Sequence, residues 1–246
     1  MNKPIKHHYI PQFYLRRWIN PSKTLFVYIR GKTEPSEIKR NGLTGFCLEN
    51  DLYSISNINP NNPTKIETEW ASPLDGCAAT IINKFNEGQV NNLTDDERLS
   101  WANFCASLWL RSPQGLKYIS EKLHQNPLSL LNSKEENRDL CAFILPKLDY
   151  LKHEVVFTAL NWYVERTDNE FLIGDTLPTF NLEINSPFYT YLPIDPKRTF
   201  LAFGPQKPKF NDKLRRDFNK WIVQNAKRFV FASSRENEDF ILKYLK

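Results

Sequence analysis

The segment from Asp95 to Arg111 constrains the fold most, because it predicts a helix with apolar residues on almost every face. Thr94 to Glu97 forms a capping-box sequence that begins this helix. The Arg111-Ser-Pro113 sequence ends or kinks it, because the residue before a proline disfavours helical geometry. A helix that is apolar all round is buried on most sides. We therefore expect the rest of the chain to pack around it.

The flanking patterns predict a helical middle, about residues 66–149, between two regions of strands. Helical spacing of apolar residues predicts a helix over Ile66–Phe85, and a second capping box at Ser133 to Glu136 predicts another through about Leu148. A helix over 212–224 and a last helix capped by Ser233 to Glu236 are predicted near the C-terminus. The predicted strands are Thr24–Ile29, Phe46–Ile55, Val155–Val164, Glu170–Ile173, Phe188–Leu192, Thr199–Phe203 and Lys227–Ala232.

This order of elements predicts the α+β class, with a mostly antiparallel sheet from the N-terminal strands and the C-terminal half. No composition shift marks a linker, so we expect residues 1–246 to form a single domain. Hydrophobic residues make up 41% of the chain and aromatic residues 13%, which supplies a sizeable core and excludes a disordered chain.

Several classes of protein are excluded by what the sequence lacks. No run approaches the roughly 18–20 apolar residues of a membrane-spanning helix, and the N-terminus lacks the apolar core of a secretory signal. The 4 cysteines form no CxxC pair, which argues against a structural zinc site and favours reduced, mostly buried thiols. We therefore expect a cytoplasmic protein without a membrane partner.

Positive charge concentrates at the two ends of the chain, within a net charge of +5. Residues 1–33 contain seven Lys or Arg and no acid, and residues 207–228 contain eight against two acids. Two basic ends of one domain attract polyanions, so nucleic acid is a candidate partner; a solvated surface is the alternative. The candidate substrate-binding residues are Tyr9, Arg16, Arg17, Lys213, Arg216 and Lys220.

The densest group of candidate catalytic residues lies in HHYIPQFYLRRW near the N-terminus. His7 and His8 are adjacent, and imidazole serves as acid, base or metal ligand near neutral pH. Neighbouring side chains of an extended segment point to opposite faces, so we expect one histidine to face a site and the other to pack. Gln12 adds a polar group close by. A docked arm with structural histidines is the alternative.

Two further candidates lie far along the chain. Arg111 follows the most apolar helix, where a guanidinium needs a phosphate, a carboxylate or a structural acid such as Asp175 or Glu69. Asp175 follows an apolar run, at a position where sites often place a base or ligand, although the sequence Asp175-Thr-Leu-Pro178 favours a turn over a functional role. For a divalent metal, should the reaction use one, Asp175 and His8 are the candidate ligands.

The segment HHYIPQFYLRRW resembles the opening of an uncharacterised, mainly bacterial family of unknown function, whose members begin with HHYVPQFYL-like segments. Further segments resemble the family in the same order, although Gly174 replaces its usual serine and Leu177 lengthens the step from Asp175 to proline. These segments are Leu48–Tyr53, Glu67–Phe85, Leu110–Pro113, Gly174–Pro178 and Tyr191–Pro196. The resemblance implies no reaction, but it implies that five residues meet in space: His7, His8, Gln12, Arg111 and Asp175.

Three functions are consistent with these residues. The first is a nuclease or related phosphodiester hydrolase, in which a His transfers a proton, an Arg stabilises phosphate charge and an Asp serves as base or metal ligand. The second is a non-enzymatic module that binds nucleic acid or protein through the basic aromatic arm. The third is an enzyme that processes a nucleotide held by Arg111 or by helix N-termini, since no glycine-rich phosphate loop is present.

Overall fold

The structure is a computed structural model that describes residues 6–124, 139, 141–142, 144–147, 160–177, 179–180, 190–204 and 209–246. Its helices are α1 (Gln12–Leu15), α2 (Ser72–Asn86), α3 (Asp95–Leu110), α4 (Pro113–His124), α5 (Asp212–Asn225) and α6 (Glu238–Tyr244). One π-helical turn, Glu67–Ala71, leads directly into α2. Short 3₁₀ helices occupy Arg16–Trp18, Arg40–Gly45, Val90–Asn92 and Leu145–Lys147.

The strands form three antiparallel sheets. They are β1 (Lys6–His8), β2 (Thr24–Ile29), β3 (Ser36–Lys39), β4 (Leu48–Asn50), β5 (Asn161–Arg166), β6 (Ile173–Gly174), β7 (Thr179–Phe180), β8 (Thr190–Asp195), β9 (Arg198–Phe203) and β10 (Phe229–Ala232). The strand orders are β1-β4, β3-β2-β10-β6 and β5-β9-β8-β7. N-terminal strand β2 thus pairs with C-terminal strand β10. The predicted α+β class with antiparallel pairing is confirmed.

Helix α3 lies in the core as its sequence predicts. The Thr94 side chain accepts from the Glu97 amide and the Glu97 side chain accepts from the Thr94 amide, which completes the capping box. Trp101 of α3 contacts Phe85 of α2 and Phe200 of β9, with ring centroids 4.9 and 5.3 Å apart. Among the large apolar side chains of α3, the one that is exposed is Leu99, which lies in the N-terminal half of the helix. Elements from both halves of the chain therefore share the core around α3.

The N-terminal arm is docked from its first described strand onward. Tyr14 and Trp18 are fully buried. The Tyr14 hydroxyl donates to the Pro193 carbonyl, and the Trp18 indole donates to the Phe171 carbonyl at 2.9 Å. These bonds satisfy the polar atoms of two large aromatic side chains inside the core. The arm is thereby fixed to the C-terminal half of the chain.

Several predicted strands and helices begin or end at other residues in the structure. The strand predicted over Phe46–Ile55 is confined to β4, because Asp51 adopts a left-handed φ of 55° that ends pairing. The strands predicted at Glu170 and Lys227 begin later, with β6 and β10. The predicted helix over Ile66–Phe85 begins with the π-helical turn and continues as α2.

The predicted cap of the last helix is also wrong. Helix α6 begins at Glu238, and Asn237 precedes it. The backbone amide of Ser233 and the side-chain amide of Asn237 both donate to the buried Glu170 carboxylate. The residues before α6 are therefore held as a loop. The predicted capping box at Ser133 to Glu136 and residues 155–159 and 188–189 of two predicted strands lie outside the described residues.

The structure bears on two expectations from composition, which concern membrane-spanning helices and the state of the cysteines. Among the described residues, no helix combines the length and the apolarity needed to cross a bilayer. All four cysteines are free; Cys47, Cys105 and Cys141 are buried, whereas Cys77 lies exposed on α2.

Candidate functional site

The two adjacent histidines point to different neighbours, as the extended geometry of β1 predicts. His7 is buried, and its Nδ1 accepts a hydrogen bond from the Tyr53 amide at 3.1 Å. A neutral His7 therefore carries its proton on Nε2. His8 is half-buried, and its Nε2 lies 3.3 Å from the Thr44 carbonyl. Burial lowers the pKa of His8, and the nearby charge of Arg16 lowers it further.

Arg111 is 1% exposed at the end of α3, and it forms an ion pair with Asp75 in the first turn of α2. The Arg111 Nη2 atom lies 2.7 Å from Asp75 Oδ1. The prediction that Asp175 or Glu69 would pair with Arg111 is therefore wrong. Because α3 follows α2 along the chain and packs beside it, the C-terminal end of α3 meets the N-terminal end of α2. Tyr53 donates its hydroxyl to the Arg111 carbonyl at 2.6 Å.

Glu67, on the π-helical turn, lies close enough to this ion pair for the charge of Arg111 to act on its carboxyl. It is half-buried, and its Oε1 accepts from the Ser72 hydroxyl at 3.4 Å. Its buried Oε2 has no hydrogen-bond partner among the described residues, and neither has the buried Nε of Arg111. Single π-helical turns are frequent at functional sites. We call Glu67, Asp75 and Arg111 the acid–arginine cluster, and it contains one buried donor and one buried acceptor that no described residue satisfies.

The electrostatics of the acid–arginine cluster shift the titration of both carboxyls toward higher pH. Burial raises the pKa of Glu67 and of Asp75, and in both cases it outweighs the opposing charge of Arg111. Burial alone would lower the pKa of Arg111, but Asp75 and its other neighbours raise it overall. The Asp75 side chain is 22% exposed, so solvent reaches the cluster. A cluster with one protonated carboxyl, one carboxylate and one guanidinium is neutral.

Asp175 lies elsewhere, against the loop that leads into β10. Its two carboxylate oxygens accept from the amides of Lys227 at 2.7 Å and Arg228 at 2.8 Å. Burial raises the pKa of Asp175, and these amide bonds oppose the rise. Within the described part of the chain it makes no hydrogen bond or ion pair with Arg111 or His8. The convergence of five residues is therefore only partial: Tyr53 links His7 to Arg111, and Asp175 is not part of that group.

The remaining candidates divide into two environments. Gln12 and Arg16 lie near His8, and the Gln12 amide donates to the Leu43 carbonyl at 3.0 Å. Arg17 is instead held by the carbonyl of Ile194, at 2.6 Å, and by Asp195. Tyr9 is buried in the core beside Cys47, and burial raises its pKa. Neither Arg17 nor Tyr9 is open to a polymeric substrate, contrary to their predicted binding role.

The basic face predicted on α5 is present. Lys213 and Arg216 are exposed, whereas the Lys220 ammonium lies 5.1 Å from the ring centroid of Tyr244. A predicted metal pair of Asp175 and His8 is not brought together. In the described ranges, no three His, Cys, Asp or Glu side chains are grouped so that they could hold a metal ion.

Sequence reasoning missed three residues of the site. Tyr53 lies in the segment predicted as a strand over Phe46–Ile55, and Glu67 lies at the start of the helix predicted over Ile66–Phe85. Asp75 was not singled out. Residues i and i+8 share a helix face, so the spacing of Glu67 and Asp75 was the available signal. Nothing in the local sequence indicates Tyr53, because its role depends on the segment after β4 lying against the end of α3.

The fold and this cluster define an α+β protein with a buried, partly solvent-accessible acid–arginine cluster. The chain belongs to the family described as Protein of unknown function (DUF4238), whose model matches residues 6–236. The resemblance inferred from the N-terminal motif is thereby confirmed at the level of a family of unknown function. Comparisons with curated proteins and with solved structures give no match.

Proposed function

We propose that the protein is a hydrolase of phosphodiester bonds in nucleic acid, with the acid–arginine cluster as its reacting centre. The observation that carries this proposal is the buried Arg111 Nε, which has no acceptor among the described residues, in an arginine that pairs with Asp75 and whose charge acts on Glu67, two carboxyls whose pKa burial raises. Perturbed titratable groups in a partly accessible site are typical of acid–base catalysis. His7 takes the role of a positioning residue, because its Nδ1 is engaged by Tyr53.

Each member of the cluster has one role in the proposed step. The oxygen of a water molecule forms a bond to phosphorus while its proton passes to the Asp75 carboxylate. The bond from phosphorus to the leaving oxygen breaks, and that oxygen takes the proton held by Glu67. The Arg111 Nε–H group donates to a non-bridging oxygen on which negative charge develops. Proton exchange with solvent then restores the starting protonation of both carboxyls.

Charge supports a phosphate substrate at this site. A cluster with both carboxyls ionised would carry a net negative charge and repel phosphate. With Glu67 protonated the cluster is neutral, so the repulsion is absent and Arg111 supplies local attraction. The net charge of +5 favours a polyanionic substrate over a neutral one.

The test compares the wild-type chain with Glu67→Gln in cleavage of end-labelled RNA and DNA, single-stranded and duplex, with magnesium and with a chelator. Glutamine keeps the side-chain shape but cannot supply the proton. We expect kcat to fall by roughly 10²-fold, the low end of the usual effect of a general acid. The matched control is Glu69→Gln, whose side chain is 58% exposed on the same turn and which should cleave like the wild type.

Two results would overturn the proposal. One is equal cleavage by the wild type and Glu67→Gln, which would assign any cleavage to another centre or to a contaminant. The other is the absence of cleavage of all four nucleic acids by the wild-type chain in both buffers. Circular dichroism and thermal unfolding of every variant confirm that the proteins compared are folded.

A further inference from the structure

A second polar site lies at the open end of the β2–β3 hairpin. It is a cleft of about 710 Å³, and four of the residues that line it are cations: Arg16, Lys23, Lys39 and Arg40. The other lining residues are Ile19, Ser22 and Asn41, so neither an acid nor an aromatic side chain is among the residues of the described ranges that line the cleft. We call it the basic cleft.

The β2–β3 hairpin brings the cations together. Thr24 and Lys39 are partners at the open end of this antiparallel pair, and the Arg40 amide donates to the Lys23 carbonyl at 3.2 Å. Lys23 precedes β2 by one residue and Arg40 follows β3, so Lys23, Lys39 and Arg40 are neighbours at this end of the hairpin. Like charges at such close range repel one another. The fold thus holds three cations close together where repulsion opposes it.

No described residue compensates this charge. None of the four cations has an ion pair or a side-chain hydrogen bond within the described part of the chain. Other arginines of the structure are paired: Arg17 and Arg198 with Asp195, and Arg215 with Asp212. The basic cleft differs from these because no acid is among the described residues that line it. Its charge is available to an anion from outside.

The local backbone supports a functional role. Lys23 has a φ of 63°, a left-handed conformation that residues other than glycine adopt uncommonly. The Asn20 side chain fixes this turn, because its Oδ1 accepts from the Thr24 amide and hydroxyl at 3.1 Å each. A non-glycine residue held in such a conformation is typical of binding sites. Here it places a lysine beside Arg40.

His8 and Gln12 contact the backbone of a segment that lines the cleft. His8 contacts the Thr44 carbonyl and Gln12 donates to the Leu43 carbonyl. Both carbonyls belong to the 3₁₀ helix Arg40–Gly45, which contributes Arg40 and Asn41 to the lining. The N-terminal arm therefore acts on the basic cleft by positioning its cations.

We propose that the basic cleft binds the phosphate backbone of nucleic acid without sequence preference. Four cations without acids match phosphate oxygens, and the absence of aromatic side chains leaves no platform on which bases could stack. Partner proteins instead favour surfaces with aromatic anchors, which this cleft lacks. The inference rests on the proposed function, which makes nucleic acid the substrate. Binding of nucleic acid to the cleft is nevertheless measurable without hydrolysis.

The experiment measures binding of fluorescein-labelled single-stranded DNA of two unrelated sequences by anisotropy, between about 50 and 200 mM salt. All proteins carry Glu67→Gln, so that the probe stays intact. We expect both sequences to bind equally. Replacing Lys39 and Arg40 together by glutamine should weaken binding roughly tenfold and reduce the slope of log K against log salt by about 1.4.

The matched control replaces Lys117 and Lys243 together by glutamine, which removes the same charge from exposed positions of α4 and α6 that have no assigned role. It should leave most of the affinity and slope unchanged. An equal loss in both double variants, an unchanged slope in the cleft variant, or equally tight binding of polyglutamate would overturn the inference. Binding that depends on the cleft in a chain that cleaves nothing would remove the proposed hydrolysis and leave this inference standing.

Discussion

The hydroxyl of Tyr53 donates a hydrogen bond to the backbone carbonyl of Arg111 at 2.6 Å. The amide of the same residue donates to His7 Nδ1 at 3.1 Å. Tyr53 therefore ties strand β1 to the end of α3 and fixes the backbone from which the Arg111 guanidinium extends. This relationship makes the N-terminal motif and the Arg-Ser-Pro sequence parts of one site although they are far apart in the chain.

Replacing Tyr53 by phenylalanine removes only this hydroxyl. The Arg111 carbonyl loses a partner in the interior, so we expect unfolding free energy to fall by about 1–3 kcal/mol. Urea denaturation measures this loss. Cleavage should also weaken through kcat, because Arg111 is then less well positioned. An unchanged urea midpoint would show that the hydroxyl does not hold the end of α3.

The raised pKa of Glu67 makes stability depend on pH in a defined direction. The folded state binds the Glu67 proton more tightly than the unfolded state, whose carboxyl titrates near 4.3, roughly the value for free glutamate. The stabilising contribution is therefore complete below that pH and is lost as the pH rises through the raised pKa of the folded state. Glu67→Gln removes this loss, so the variant should have a higher Tm than the wild type in alkaline buffer.

Thermal unfolding across the pH range from mildly acidic to alkaline tests this expectation. The Tm difference between Glu67→Gln and the wild type should shrink toward acidic pH, where both side chains are neutral. Glu69→Gln should show no comparable trend, because its side chain is largely exposed. A variant that is more stable and less active would fit a carboxyl retained for catalysis at a cost in stability. A lower Tm for Glu67→Gln at alkaline pH would contradict the burial argument.

For Asp175 we expect a structural effect. Asp175→Asn keeps one oxygen acceptor and loses the other, so one of the amides of Lys227 and Arg228 is left without its partner. Unfolding free energy should fall by about 1–3 kcal/mol while the kcat of the folded fraction is retained. Chemical denaturation and cleavage assays on one preparation separate the two effects. Loss of cleavage with an unchanged unfolding transition would instead place Asp175 in the reacting centre.

Two glycines provide a matched pair for the junction after Arg111. A Cβ at Gly115 would lie 2.3 Å from the Trp109 carbonyl oxygen, whereas one at Gly76 in α2 meets nothing within 4 Å. Gly115→Ala should therefore displace the end of α3 and lower both stability and cleavage. Gly76→Ala should raise stability by about 0.5–1 kcal/mol, because alanine loses less backbone entropy in a helix. Thermal unfolding of both variants measures these opposite changes in stability. A Gly115→Ala variant with the Tm of the wild type would contradict the close packing at this junction.

Local sequence determined much of the fold because the relevant interactions are short-range. The capping box of α3 joins residues three apart, and the apolar faces of α2 and α3 follow from helical period. Boundaries were predicted less well where a distant residue decides them. The loop before α6 is an example, since Glu170 accepts bonds there from residues more than sixty positions away.

The candidate site shows the same division. The sequence by itself identified the two histidines, Gln12 and Arg111 as residues of interest, and the alternation of side chains in a strand separated His7 from His8. Only the tertiary structure decided the partners: Asp75 for Arg111, and two backbone amides for Asp175. The physical reason is that a charge can be identified from residue type, whereas the group that neutralises it depends on how helices and strands distant in the chain pack against one another.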